Sequence, residues 1–78
     1  MKVTSEDVTI NYRDYGEITV PKGTLITNQT ALGEDPNYNF VADFSWIKPH
    51  DDGTPQFGLL HDAKYYGINI PADKVREI

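Results

Sequence analysis

The chain contains no cysteine, which excludes both a disulfide framework and a thiolate zinc site as sources of stability. At 78 residues, one domain with one core supplies roughly 3–5 kcal/mol, so packing or a partner must provide the rest. No window approaches the ~20 continuous apolar residues of a membrane-spanning helix. The opening Met1-Lys2-Val3-Thr4-Ser5-Glu6-Asp7 also lacks the apolar run of a secretory leader. From these two absences a cytoplasmic location is expected, with no membrane partner, and Asn28-Gln29-Thr30 is a chance match to the glycosylation triplet. The glycines are isolated, so no phosphate-cradling loop is present and no cofactor is called for. Nowhere does a 3.6-residue apolar period run for eleven residues or more, which argues against a long amphipathic helix.

Cations are scarce in one place. From Gly23 to Asp62 six carboxylates (Glu34, Asp35, Asp43, Asp51, Asp52 and Asp62) face a single cation, Lys48. That stretch nets −5, the formal charge of the whole chain, and the flanks cancel. Interleaved with the acids are Tyr38, Phe40, Phe44, Trp46 and Phe57. Such a block repels a phosphate backbone, so direct nucleic-acid binding is not expected. It suits a face that meets another protein, above all one with a basic surface.

Val8-Thr9-Ile10-Asn11-Tyr12-Arg13 alternates apolar and polar, the signature of a half-buried strand, and Ile18 and Val20 continue the pattern after Gly16. Pro21-Lys22-Gly23 fits a type I turn with Val20 in first place. Thr24–Thr27 reads as a third consecutive antiparallel strand. Asn28–Asn37 reads as a loop. Tyr38, Phe40, Ala42, Phe44 and Trp46 occupy alternate positions, which predicts a long strand with Trp46 in the core. Lys48–Pro55 is an exposed turn. Phe57–Leu60 is expected to be a short strand, and Asp62–Gly67 one helical turn capped by Asp62 and stopped by Gly67. Ile68-Asn69-Ile70, a tight turn at Pro71–Lys74 and a last strand from Val75 complete the chain. The expectation is an all-β domain over residues 1–78: a small, partly open barrel of five or six short antiparallel strands with one short helical turn, an architecture that limits free sheet edges.

Two segments add to this. Gly67–Ile78, with a strand ending in Pro71 and a valine at 75 after a short turn, resembles the C-terminal segment of Src homology 3 domains. Tyr12-Arg13-Asp14-Tyr15 is similar to the tyrosine-rich motif that opens that family. The resemblance covers about sixteen residues and implies an SH3-like barrel, with a single 3₁₀ turn before the last strand. In that family a groove for proline-rich peptides uses the opening tyrosines, a tryptophan, the proline and a tyrosine three positions later. Here Lys74 stands where that tyrosine would be and Trp46 lies far upstream, so the resemblance speaks for shape rather than for that ligand.

Residues with catalytic potential are few. His61-Asp62 could be an oriented base acting on Ser45 or Tyr65, but neighbours on a strand point to opposite faces, so adjacency alone does not make a dyad. His50, His61, Asp51, Asp52 and Asp62 carry donor types that suit a divalent metal, without a diagnostic spacing. Tyr65-Tyr66 must show at least one ring outward if extended, where tyrosine is enriched in contact surfaces.

The function expected from these residues is a non-enzymatic protein-binding module, with Glu34, Asp35, Asp43, Asp51, Asp52, Tyr65 and Tyr66 as contacts. A sharper form is a nucleic-acid mimic that inhibits a host nucleic-acid-binding enzyme, of the anti-restriction or anti-CRISPR type. The alternatives are a small metal-dependent hydrolase centred on His50, His61 and the neighbouring aspartates, and a structural homo-oligomer.

Overall fold

The computed structural model describes all residues, 1–78. In chain order it contains β1 (Lys2–Thr4), β2 (Val8–Asn11), a 3₁₀ turn (Arg13–Tyr15), β3 (Glu17–Val20), β4 (Leu25–Thr27), β5 (Gln29–Thr30), β6 (Gly33–Glu34), β7 (Phe40–Val41), α1 (Phe57–Tyr65), a second 3₁₀ turn (Ala72–Lys74) and β8 (Val75–Glu77). Four strands form an antiparallel sheet in the order β7-β4-β1-β8, and two hairpins, β2–β3 and β5–β6, stand beside it. Beyond β7, Phe40 bridges Asn69, with the Val41 amide donating to the Ile68 carbonyl at 3.0 Å. At the other edge β8 pairs with β1 alone, so the ladder is not closed. The fold is thus β-rich and antiparallel with one helix, and no helix is long and apolar enough to cross a membrane.

The β2–β3 hairpin follows the alternation, with Val8 opposite Val20 and Asn11 opposite Glu17. Its turn into β4 is shifted by one residue from expectation. The Thr24 amide donates to the Pro21 carbonyl at 3.3 Å, which places Gly23, with φ +84°, third in the turn. Positive φ at that place is what glycine supplies without strain. β4 does not continue the hairpin. It leaves β3 and pairs instead with β1 and β7, because the buried hydroxyls of Thr4 and Thr24 both donate to the Pro21 carbonyl, at 2.7 and 2.6 Å. The expected loop 28–37 holds the small β5–β6 hairpin.

The long strand expected over Tyr38–Trp46 stops at Val41. Val41, of opposite parity to the aromatics, is the buried residue, while Tyr38 is exposed. The Asp43 carboxylate accepts bonds from the Ser45 amide and hydroxyl, each at 3.0 Å, and this local ring breaks the extended path. Trp46 then folds back, half-buried, its Nε1 donating to the Asp43 carbonyl at 2.6 Å. Phe57–Leu60 is no strand but the first half of α1, and Asp62 lies inside the helix rather than at its cap. The helix turns Leu59 and Ala63, four residues apart, into a core built with Val8, Tyr12, Val20, Val41, Ile68 and Ile70. Gly67, at φ +86°, ends it as expected. No buried side-chain polar atom lacks a partner.

Candidate functional site

The densest meeting of polar and aromatic side chains lies where the tip of the β2–β3 hairpin rests on the C-terminal half of α1. Tyr12 anchors it: its buried hydroxyl lies 3.0 Å from both the Asp62 and the Gly67 carbonyl oxygens, and burial pushes the phenol pKa up. Tyr15 stacks beside Tyr12 and donates its hydroxyl to Asp62 Oδ2 at 2.8 Å. That hydrogen bond is also the main reason the Tyr15 phenol is raised. The Asp62 carboxylate is held below its usual range, first by the bond from His61 Nδ1 at 3.0 Å and then by that of Tyr15. One carboxylate therefore ties the hairpin tip to the helix.

Arg13 sits between them at φ +47°, the only non-glycine residue with positive φ. Its guanidinium carbon lies 4.0 Å from the Tyr66 ring centroid and its Nε 3.8 Å from Asp62 Oδ2. An exposed cation–π contact contributes ~0.5–1 kcal/mol and a surface ion pair ~0–1 kcal/mol. The left-handed backbone costs ~1–2 kcal/mol, so the contacts and the strain nearly offset each other. Tyr66 meets Tyr65 edge-on at 4.9 Å, and Tyr65 stacks on His61 at 5.7 Å. Both tyrosines are exposed, as they sit at the solvent side of the helix end.

Tyr66 also lines a concavity of about 240 Å³ with Leu32, Phe40, Glu34 and Asp35. Leu32, at the tip of β5–β6, is 62% exposed, an apolar residue left largely to solvent. Of the acids proposed from the sequence, only Glu34 and Asp35 line this hollow with Tyr66. Asp43 and Asp52 are turned onto their own loops, where Ser45 and Thr54 donate to them and hold both carboxyls below the usual range. Asp51 lies exposed in the Lys48–Pro55 turn, and Tyr65 faces His61. The acidic block is therefore divided among the end of the β5–β6 hairpin, the turn at Asp43, the Lys48–Pro55 turn and α1, which carries Asp62.

The ion pairs of the chain are Met1–Glu77, Arg13–Asp62, His61–Asp62 and Lys74–Glu6. None engages Glu34, Asp35, Asp43, Asp51 or Asp52. The His61–Asp62 hydrogen bond does form, against the strand-based expectation, because on a helix these neighbours need not point apart. The His61 side chain is 70% exposed, however, and lines none of the four concavities. Ser45 is bonded to Asp43 and not to His61. No three histidine, aspartate or glutamate side chains gather as a metal site would need, and His50 stays in the exposed turn.

Arg13 and Tyr15 belong to the site without having been singled out as contacts from the sequence. Nothing in a linear reading connects positions 13 and 15 with 62 and 66; the one available signal is the cluster of tyrosines around an arginine at 12–15. Compared with known proteins, the chain matches no family model, no curated protein and no solved structure.

Proposed function

We propose that this chain is a non-enzymatic protein-binding module whose docking face is the concavity of Leu32, Phe40 and Tyr66 edged by Glu34 and Asp35. The observation that carries this reading is the pairing of exposed apolar groups with carboxylates that have no cation of their own. Carboxylates on the rim of an apolar patch add little to folding but steer a basic partner and fix its register. An SH3-like, partly open barrel is part of the proposal, supported by the 3₁₀ turn after Pro71 and by Val75 opening the last strand. The proline-peptide groove of that family is not part of it. Tyr12 is buried beneath the hairpin, and Lys74 is engaged by Glu6.

The reading is tested with the tagged full chain as bait in its native lysate, comparing Glu34→Lys/Asp35→Lys with Glu17→Lys/Asp73→Lys. Both doubles change net charge equally, and all four positions lie outside the ion pairs. Loss of a stoichiometric partner from the first double alone supports the face. Equal loss from both would mean that net charge acts without a localised site, and retention by both would place the contact elsewhere.

A further inference from the structure

We infer that Arg13 is the internal occupant of an arginine-binding site on Tyr66, and that a partner protein enters this site with an arginine of its own that displaces it. The inference rests on the protein-binding reading above and names what that face recognises. The structure already holds the ligand group in place: a guanidinium 4.0 Å from the centroid of Tyr66 with a carboxylate oxygen of Asp62 3.8 Å from its Nε. An aromatic face beside a carboxylate is the pair of features that binds guanidinium groups.

Arg13 fills the site loosely. The separation from Asp62 is too long for a hydrogen bond, the side chain is 45% exposed, and the backbone is left-handed at a non-glycine residue, a cost that the contacts only about offset. When a guanidinium from outside takes its place, the stack and the charge pairing are kept, and Tyr12 and Tyr15 still hold the hairpin tip on the helix. The exchange therefore loses little. In the hollow that Tyr66 lines, Glu34 and Asp35 have no cation of their own, their carboxylates accepting bonds from Asn28 Nδ2 at 3.3 Å and the Asn37 amide at 3.0 Å, and Leu32 and Phe40 offer a wall for an aliphatic stem. An arginine uses such a place better than a lysine, because its planar fork both stacks on the ring and bonds a carboxylate with two donors, whereas an ammonium is a hydrated point charge. The fitting partner is thus a protein segment carrying an exposed arginine among other basic residues.

The test is an NMR titration of the full chain with three acetylated, amidated tripeptides, Gly-Arg-Gly, Gly-Lys-Gly and Gly-citrulline-Gly, in wild type, Arg13→Gln and Arg13→Gly. The glycine variant accepts the positive φ and so keeps the hairpin tip even if the glutamine variant disturbs it. Resonances of Tyr66 and Asp62 are expected to move with the arginine peptide. Its affinity should rise roughly two- to five-fold in both variants, the effect of removing one exposed cation–π competitor. The lysine peptide should gain less and the citrulline peptide nothing. An equal gain for lysine means that the lost charge alone acts, and unchanged or weaker arginine binding in both variants means that Arg13 does not compete; either result overturns the inference. If Glu34→Lys/Asp35→Lys still abolishes partner capture in such a case, the protein-binding face stands and only its arginine recognition fails. If neither assay responds, both are wrong.

Discussion

Gly67→Ala should be among the most damaging single substitutions in this chain, and the structure says by how much. A Cβ at this position would lie 2.4 Å from Phe40 Cδ1, 2.8 Å from Phe40 Cε1 and 2.8 Å from Thr30 Cγ2. Carbon atoms in good contact stand ~3.5–4.0 Å apart, so the Phe40 ring has to move. Forcing an extra methyl into a packed place costs ~1–3 kcal/mol, and alanine in the left-handed region costs a further ~1–2 kcal/mol. The sum, about 2–5 kcal/mol, is comparable to the roughly 3–5 kcal/mol that a single core of this size supplies. Gly23→Ala is the control. Gly23 has nearly the same φ, +84°, but nothing within 4 Å of the added carbon, so only the backbone share of ~1–2 kcal/mol applies. Urea unfolding followed by circular dichroism measures both. The reasoning is refuted if the two variants lose equal stability, because the contact with Phe40 and Thr30 would then yield at no cost. A double variant with Phe40→Ala makes the check sharper: removal of the ring should recover part of the Gly67→Ala loss, a coupling that independent sites do not show.

Tyr12→Phe should cost about 1–2 kcal/mol, since it removes the proton shared by the Asp62 and Gly67 carbonyls without opening a cavity; an unchanged thermal midpoint would show that water replaces it freely. Trp46→Ala should cost about 1.5–3 kcal/mol, below the ~3–5 kcal/mol of a fully buried large aromatic, because the ring is half-buried; calorimetry decides between the two ranges. Asp62 has a lowered pKa in the folded state, so its stabilising share is complete above the ordinary carboxylate range, about pH 4, and fades as pH falls through the folded value. Asp62→Asn should flatten that acid-side slope of the urea midpoint, and a slope identical to wild type would place the acid sensitivity in other groups. Lys74 behaves oppositely: Glu6 raises its pKa, so this contribution is present at neutral pH and is lost as pH rises through the folded value. Glu6→Gln should remove that alkaline loss, read from the same midpoints.

Much of the framework was legible in the chain itself. Alternation at Val8–Asn11 and Glu17–Val20 defines a hairpin because residues two apart share one face of a strand, and that rule is local. Proline and glycine at 49, 53 and 55 mark an exposed turn for equally local reasons, and Gly67 ends the helix because it alone takes φ +86° without strain. The absence of cysteine and the acidic block were likewise fixed by composition. Other features depended on contacts between distant residues. Alternating aromatics from Tyr38 to Trp46 satisfy the period of a strand, yet Asp43 closes a ring with Ser45 and the strand ends after two residues. Phe57–Tyr65 shows only two buried positions, too few for a helical period to stand out, and it is packing of Leu59 and Ala63 on the sheet that makes the helix worth forming. The candidate site is the clearest case. Which carboxylates share a hollow with Tyr66 depended on where β5–β6 and Phe40 meet the end of α1, and that Arg13 lies over its ring depended on how the hairpin tip folds onto α1 across some fifty residues of chain. Local periodicity reports the neighbours of a residue along one element; only the closed tertiary structure decides which elements meet, and at this surface that meeting makes the chemistry.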